Sequence, residues 1–282
     1  MLRRNFIKNC ALSVPFISCM NFKENNELFF DIGLAQWSFN KALNAGVMKN
    51  LDFALVAKEK FNITTVEYVN QFFFDKANDK KYLSEMLKRT EDNGIRNYLI
   101  MIDDEGDLGD TNKNKRNLSV ENHKKWVEAA KFLGCDHIRV NAQGYGPEDE
   151  ISKNASESLS ALGEFSEPYG IDIIVENHGG FSSQPEKLMQ VINALNMPNS
   201  GTLPDFGNWC IKWDRKSKTC KLKYDDYYKG IKLMMPAAKA VSAKSNDFDE
   251  NGNEIRIDYV KMLQIVKNAG YNGYIGIEYE GQ

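Results

Sequence analysis

Short apolar runs and longer amphipathic stretches alternate along this chain from residue 28 onward. Runs of four to eight residues rich in Ile and Val read as strands; apolar residues recurring every three or four positions read as helices. Strands are predicted at 29–36, 64–69, 97–102, 137–141, 172–176, 202–205, 240–244 and 274–279. Helices are predicted at 50–60, 80–93, 122–133, 151–169, 185–195, 224–233 and 258–268. Gly94, Gly134, Gly170 and Gly270 sit just past four of these helices, where a residue that tolerates a left-handed φ closes the last turn.

Strands separated by helices imply a parallel sheet covered by helices. Eight such units over about 255 residues fit a closed (β/α)8 barrel better than an open doubly wound sheet. The open sheet also carries a glycine-rich phosphate turn after its first strand, whereas here that strand runs into Trp37-Ser38-Phe39-Asn40. One α/β barrel spanning 28–282, without internal linker, is therefore expected. Its eighth helix is missing, and the segment 12–22 is a candidate to cover the gap. Long loops are predicted at 103–121, 142–150, 206–223 and 245–257, on the C-terminal side of the strands where barrel active sites lie.

The first twenty-two residues differ from the rest. Arg3-Arg4-Asn5-Phe6-Ile7-Lys8 leads into an acid-free, mostly apolar or small stretch to Met20, the layout of an export signal. The paired arginines resemble the twin-arginine type, and Phe16-Ile17-Ser18-Cys19 resembles a lipoprotein cleavage box in which Cys19 would carry lipid. The expected location is outside the cytoplasm, periplasmic or lipid-anchored to the cell envelope. No other stretch reaches the roughly 20 apolar residues of a spanning helix. A net charge of −3 gives no general attraction to nucleic acid, and basic runs such as 113–116 and 212–223 read as solvated faces. Of five cysteines, Cys135, Cys210 and Cys220 lie beyond the signal. Their spacing fits no CxxC metal site; a Cys210–Cys220 bridge and buried free thiols both remain open.

Three predicted strands in the second half end in a carboxylate: Ile171-Asp172-Ile173-Ile174-Val175-Glu176, Gly201-Thr202-Leu203-Pro204-Asp205 and Tyr274-Ile275-Gly276-Ile277-Glu278. Converging at one barrel end, Glu176, Asp205 and Glu278 would form a hard, oxygen-rich cation site. Side chains alternate along a strand, so His178 shares the face of Glu176, and Glu280 that of Glu278. Lys244 and Ser242 share a face of the seventh strand; a lysine there requires carboxylates around its ammonium. Arg139 and Asn141 share a face of the fourth strand, and Glu67 ends Thr65-Val66-Glu67 on the second. A buried Arg139–Glu67 ion pair is the expected arrangement, with substrate binding by these residues as the alternative. Trp37, Tyr145, Trp209 and Trp213 lie at or after strand ends, placed either to stack on sugar rings or to anchor loops.

The motifs Val175-Glu176-Asn177-His178-Gly179-Gly180, Leu203-Pro204-Asp205-Phe206-Gly207-Asn208 and Gly270-Tyr271-Asn272-Gly273-Tyr274-Ile275-Gly276-Ile277-Glu278-Tyr279-Glu280 resemble those of the xylose isomerase-like barrels. That family contains sugar isomerases and epimerases as well as an endonuclease IV branch, and the likeness extends over residues 29–281. It implies a divalent ion, Mn first and Mg, Co or Zn as alternatives, on Glu176, Asp205 and Glu278. It also implies that Glu176 and Glu278 move the proton. Two departures stand out: the family's seventh-strand histidine falls at Ser242, and its histidine after the sixth-strand aspartate falls at Asn208.

The resemblance implies a carbohydrate substrate and isomerisation or epimerisation by proton transfer next to a carbonyl. His178, Lys244, Asn208, Asn141, Trp37 and Glu280 are the candidate substrate contacts. A 3-keto-glycoside lyase or hydratase would use the same groups, and the missing histidines also admit a non-catalytic sugar-binding barrel. A three-zinc nuclease would need more histidines than His123, His137 and His178.

Overall fold

Ile173 and Val175 join a large apolar cluster beneath the helices, whereas Ile174 between them belongs to a second, smaller cluster. That alternation is the signature of a barrel strand, one face packed against helices and the other lining the interior. The computed structural model describes residues 28–281. The signal-like segment 1–22, including Cys19 and the stretch 12–22, lies outside them.

The strands are β1 (Asp31–Ala35), β2 (Thr65–Val69), β3 (Arg96–Met101), β4 (His137–Val140), β5 (Asp172–Glu176), β6 (Ser200–Leu203), β7 (Cys210–Asp214), β8 (Thr219–Lys223), β9 (Val241–Ser245) and β10 (Tyr274–Tyr279). Eight of them form one parallel sheet in the order β6-β5-β4-β3-β2-β1-β10-β9. The two outer strands then meet: Ser242 N donates to Pro204 O at 3.0 Å and Phe206 N to Ser242 O at 3.1 Å. Isolated bridges Thr202–Ala238 and Asp205–Ser242 complete the closure. The expected (β/α)8 barrel is therefore formed, with β9 and β10 as its seventh and eighth strands.

The helices run Phe53–Phe61, Lys80–Glu91, Lys113–Leu133, Glu148–Ser166, Pro185–Leu195, Tyr227–Met234 and Tyr259–Asn268, with a short one at Asn40–Asn44. Asp79, Asn112, Asp226 and Asp258 accept backbone N–H bonds at four N-termini. Two predicted loops are corrected. The helix ending at Leu133 begins at Lys113, because Asn112 caps it there, so the loop after β3 is only about half as long as expected. The stretch 206–223 is not plain loop either: it carries the antiparallel hairpin β7–β8, tied by a Cys210–Cys220 disulfide. Cys135 is a buried free thiol.

The interior cluster is small, comprising Ala35, Val69, Leu99, Met101, Ile174 and Leu203 with Tyr98 and Ala240. Above it the inward positions turn polar, with Glu176, Ser242, Lys244 and Glu278 buried there. The hairpin, by contrast, stands on the surface: Trp213 is 57% and Leu222 52% exposed. Its order depends on the disulfide more than on core packing. Replacing Cys220 by Ser should leave the barrel folded but open the hairpin to trypsin at Lys212, Arg215, Lys216, Lys218 or Lys221. Mass spectrometry of the first cleavage products checks this, and first cuts elsewhere would contradict it.

Candidate active site

Parallel strands around a barrel present their C-terminal ends on one rim, so a side chain at the end of each points toward a common centre. Glu176 closes β5, Asp205 follows β6 and Glu278 lies near the end of β10. Their carboxylates supply oxygens within 4.8 Å of one another, and all three residues are buried. Asp205, predicted as the last residue of its strand, sits two residues beyond the end of β6. It is held there by reciprocal bonds with Asn177: Asp205 N donates to Asn177 Oδ1 at 2.7 Å, and Asn177 Nδ2 to Asp205 O at 2.9 Å.

Each carboxylate has a distinct set of partners. Glu176 Oε1 accepts from Asn208 Nδ2 at 2.7 Å, and Oε2 lies 2.8 Å from Arg139 Nε as an ion pair without an aligned hydrogen bond. Asp205 Oδ1 accepts from the backbone N–H groups of Gly207 and Asn208, both at 2.8 Å. Ser242 Oγ bridges the other two acids, 2.5 Å from Asp205 Oδ2 and 3.4 Å from Glu278 Oε2. Lys244 Nζ meets Glu278 Oε1 at 2.8 Å and Glu280 Oε1 at 3.1 Å, so this buried lysine finds the carboxylates it requires. Gly207 leaves space for the lysine stem, whose Cδ would lie 2.9 Å from a Cβ there.

Arg139 does not pair with Glu67 as expected. Its guanidinium is engaged by Asp103, with Nη1 2.8 Å from Oδ1, and by Glu176. Glu67 lies deeper in the barrel, its carboxylate filling the space that Gly276 and Gly33 leave open. Neither Glu67 oxygen has a hydrogen-bond partner among the described residues. Arg139 follows the acids that end nearer its own tip, and Glu67 stays below.

The charges set the proton affinities. Burial, opposed by Arg139 and reinforced by Glu278, pushes Glu176 up to about 7. Burial, opposed by Lys244 and reinforced by Glu176 and Glu278, pushes Asp205 up to about 8. Burial and then the Arg139 guanidinium lower His178 to about 4, so its imidazole is neutral at pH 7. For Glu280, burial would raise the carboxyl, but Lys244 and Trp37 more than offset it and hold it below its usual value. Three adjacent buried carboxylates resist full ionisation unless a cation joins them. The donors are all hard oxygens, and Glu176 Oε2 accepts no hydrogen bond among the described residues, so the residues fit a hard divalent ion.

A cavity of about 510 Å³ opens at this rim, and Glu278 is the triad member that lines it. Glu278, Glu280, Lys244, Asn208, His178, Asn141 and Trp37 all line it, bringing together most of the side chains singled out from the sequence. Asn141 is held by its Nδ2 bond to Asp103 Oδ1 at 2.7 Å, and Trp37 donates to Glu280 Oε1 at 2.8 Å. The other aromatic candidates do not reach it: Trp209 is buried, donating to Phe206 O, whereas Tyr145 and Trp213 are exposed. Asp103, Gln143 and His123 line the cavity but were missed. Asp103 could have been found as the acid immediately after the third predicted strand. His123, on a helix, gave no such signal.

The model of the "Xylose isomerase-like TIM barrel" family matches residues 53–282. The chain belongs to this family. It is 28% identical over 180 residues to the uncharacterized protein MJ1311 of Methanocaldococcus jannaschii; this stretch covers 59% of the chain and 58% of that relative. Among solved structures, a D-tagatose 3-epimerase-like protein superposes with a TM-score of 0.64 at 20% identity, covering 90% of this chain and 92% of the other. An IolI protein with a bound zinc atom gives 0.66 at 16%, covering 88% of each chain. The 3-keto-D-glucoside 4-epimerase YcjR of E. coli gives 0.66 at 13%, covering 90% and 92%. At these identities the structural likenesses establish the barrel.

The partnerless Glu67 yields a pH test within this xylose isomerase-like chain. Burial, then Glu278 and Glu176, raise it from 4.5 to about 8. While both folded and unfolded states hold the proton it costs nothing. Between pH 4.5 and 8 the unfolded chain ionises and the folded one resists, so stability falls as pH rises, by up to a few kcal/mol at about 1.4 kcal/mol per pH unit. Glu67→Gln should flatten that decline. Urea midpoints at pH 6 and pH 9 measure it, and equal slopes for the variant and the parent would rule it out.

Proposed function

We propose that the protein is a divalent-metal-dependent sugar isomerase or epimerase, moving a proton next to the carbonyl of a keto sugar. The observation that carries this reading is the buried triad Glu176, Asp205 and Glu278 at the C-terminal barrel rim, with Glu278 lining a polar cavity there. Glu176, Asp205 and Glu278 would hold the ion, with Ser242 and Asn208 orienting them where the family carries histidines. When bound, such an ion polarises adjacent sugar oxygens and makes the neighbouring C–H more acidic.

The chain's own groups supply the remaining steps. Glu176 and Glu278 come from strands separated by β6 and β9 around the barrel, so they can flank a sugar between them. One carboxylate takes the proton and the other returns it on the opposite face or at the next carbon. Lys244 already neutralises Glu278 and Glu280, and its ammonium is placed to stabilise negative charge developing on the enediolate. Neutral His178 and Asn141 can bind hydroxyls. Trp37 offers an aromatic face at the cavity wall, fixed by its bond to Glu280.

A second reading keeps the same carboxylates but expels a leaving group: lyase or hydratase action on a 3-keto glycoside. One barrel neighbour is named a 3-keto-D-glucoside 4-epimerase, which brings a 3-keto glycoside into consideration as substrate although that protein's own reaction is epimerisation. An exported or lipid-anchored location belongs to either reading; the Cys210–Cys220 disulfide supports it, since such bonds persist in oxidising compartments.

In D2O, protein supplied with Mn should place deuterium at carbon in a ketose; release of aglycone from a 3-keto glycoside, followed by NMR, would select the second reading. Glu176→Gln should lose bound metal by elemental analysis and reduce turnover by at least about a thousandfold. A parent protein that takes up no divalent metal and binds sugars as well as Glu176→Gln does would be a binding barrel instead.

A further inference from the structure

The cavity has a second wall that the proton-transfer reading leaves without a role. It is built by the segment after β3 and by the helix Lys113–Leu133, and contributes Asp104, Glu105, Asp107 and His123. His123 is only 3% exposed. Its Nδ1 lies 2.7 Å from Ser119 O, and a carbonyl only accepts, so the ring proton sits on Nδ1. Nε2 is therefore a bare acceptor, with no protein partner among the described residues. Burial lowers the proton affinity of this ring against the pull of Glu105 and Asp103, with Lys125 acting in the same sense as burial, so the imidazole is neutral.

The neighbouring acids differ in how far they are engaged. Glu105 is taken by Lys125 at 2.7 Å and Trp126 Nε1 at 2.6 Å, and Asp104 Oδ2 accepts from Gln71 Nε2 at 2.7 Å. The Asp107 carboxylate has no hydrogen-bond or ion-pair partner among the described residues; Lys115 and Asp110 act on it only through their charge. The cavity's two cations are already committed, Arg139 to Asp103 and Glu176, and Lys244 to Glu278 and Glu280. Neither of them stands on this wall, whose cavity-lining residues include no cation to meet an anionic substituent, while a buried acceptor and an unpaired carboxylate await donors.

We infer that this wall is a substrate subsite of acceptors in which His123 and Asp107 read the part of the sugar projecting away from the triad. The substrate presents hydroxyl or ammonium groups there and carries neither phosphate nor carboxylate. This inference rests on the sugar-binding reading above and adds the substrate's charge class and two specificity residues. His123 acts by accepting one hydrogen bond, and Asp107 by attracting donors and repelling anions. An amino-deoxy sugar is as acceptable as its hydroxyl counterpart.

Calorimetric titration of the full chain, as purified, with a free ketohexose, its 6-phosphate and its 6-amino-6-deoxy analogue tests this without depending on turnover. The amino analogue should bind at least as tightly as the free sugar, and the phosphate at least about tenfold more weakly, with the gap narrowing as salt is raised. Asp107→Lys should shrink the discrimination against phosphate. His123→Asn keeps a donor for Ser119 O but removes Nε2, and should weaken the free sugar about tenfold while leaving the phosphate gap in place. Phosphate binding as tight as the free sugar, or discrimination unchanged in Asp107→Lys, would overturn the subsite and leave the proposed reaction standing. If none of the three sugars bound, the sugar-binding reading would fall and the subsite with it.

Discussion

Like charges within a few ångströms of one another, away from water, repel strongly, and the upper half of this barrel is organised around that repulsion. Glu176, Asp205 and Glu278 share one buried site, and Asp103 and Glu280 stand close to its edges. Arg139 and Lys244 are inserted between them, each touching one acid of the triad and one acid outside it. Ser242 and Asn208 add hydrogen bonds to particular oxygens. Every one of these side chains is fixed by a partner, so the site is held in one geometry even though its charges do not balance.

The residual negative charge is a reason to expect a cation rather than a flaw in the packing. A buried ion pair is weak evidence of stability, because desolvation consumes much of the Coulomb gain. Arg139 and Lys244 orient the acids and oppose the burial that favours their neutral forms, without overcoming it at Glu176 and Asp205. At Asp103 and Glu280 the same two cations prevail and hold the carboxyls below their usual values. Glu67, below the rim and without a hydrogen-bond donor among the described residues, is raised like Glu176 and Asp205.

The same charge distribution extends into the cavity. Its acids outnumber its cations, and both cations are already paired, so its walls offer acceptors to a guest and few donors. Neutral histidines on both sides, His123 and His178, keep that character at neutral pH. A polyhydroxylated molecule suits such a lining, since each hydroxyl can donate once and accept in return.

The repeating alternation of apolar runs and amphipathic stretches was enough to establish the eightfold barrel, because both periods are local properties of the chain. β5, the helix Pro185–Leu195 and β10 fall where that pattern places them. The triad was legible for a related reason: parallel strands of a closed barrel bring equivalent ends together, so acids at the ends of three strands must meet. What pairs with what was not legible. Arg139 could reach Glu67 or Glu176 on strand parity alone, and only three-dimensional depth, with Gly276 and Gly33 making room for Glu67 lower down, decided between them. The reach of His123 into the cavity was likewise settled by tertiary packing, because a side chain crossing from a helix to a pocket meets residues distant in the sequence, and no local pattern records that. The Asn112 cap and the Cys210–Cys220 bridge join residues close in the sequence; each was one local option among several, and the folded chain selects it.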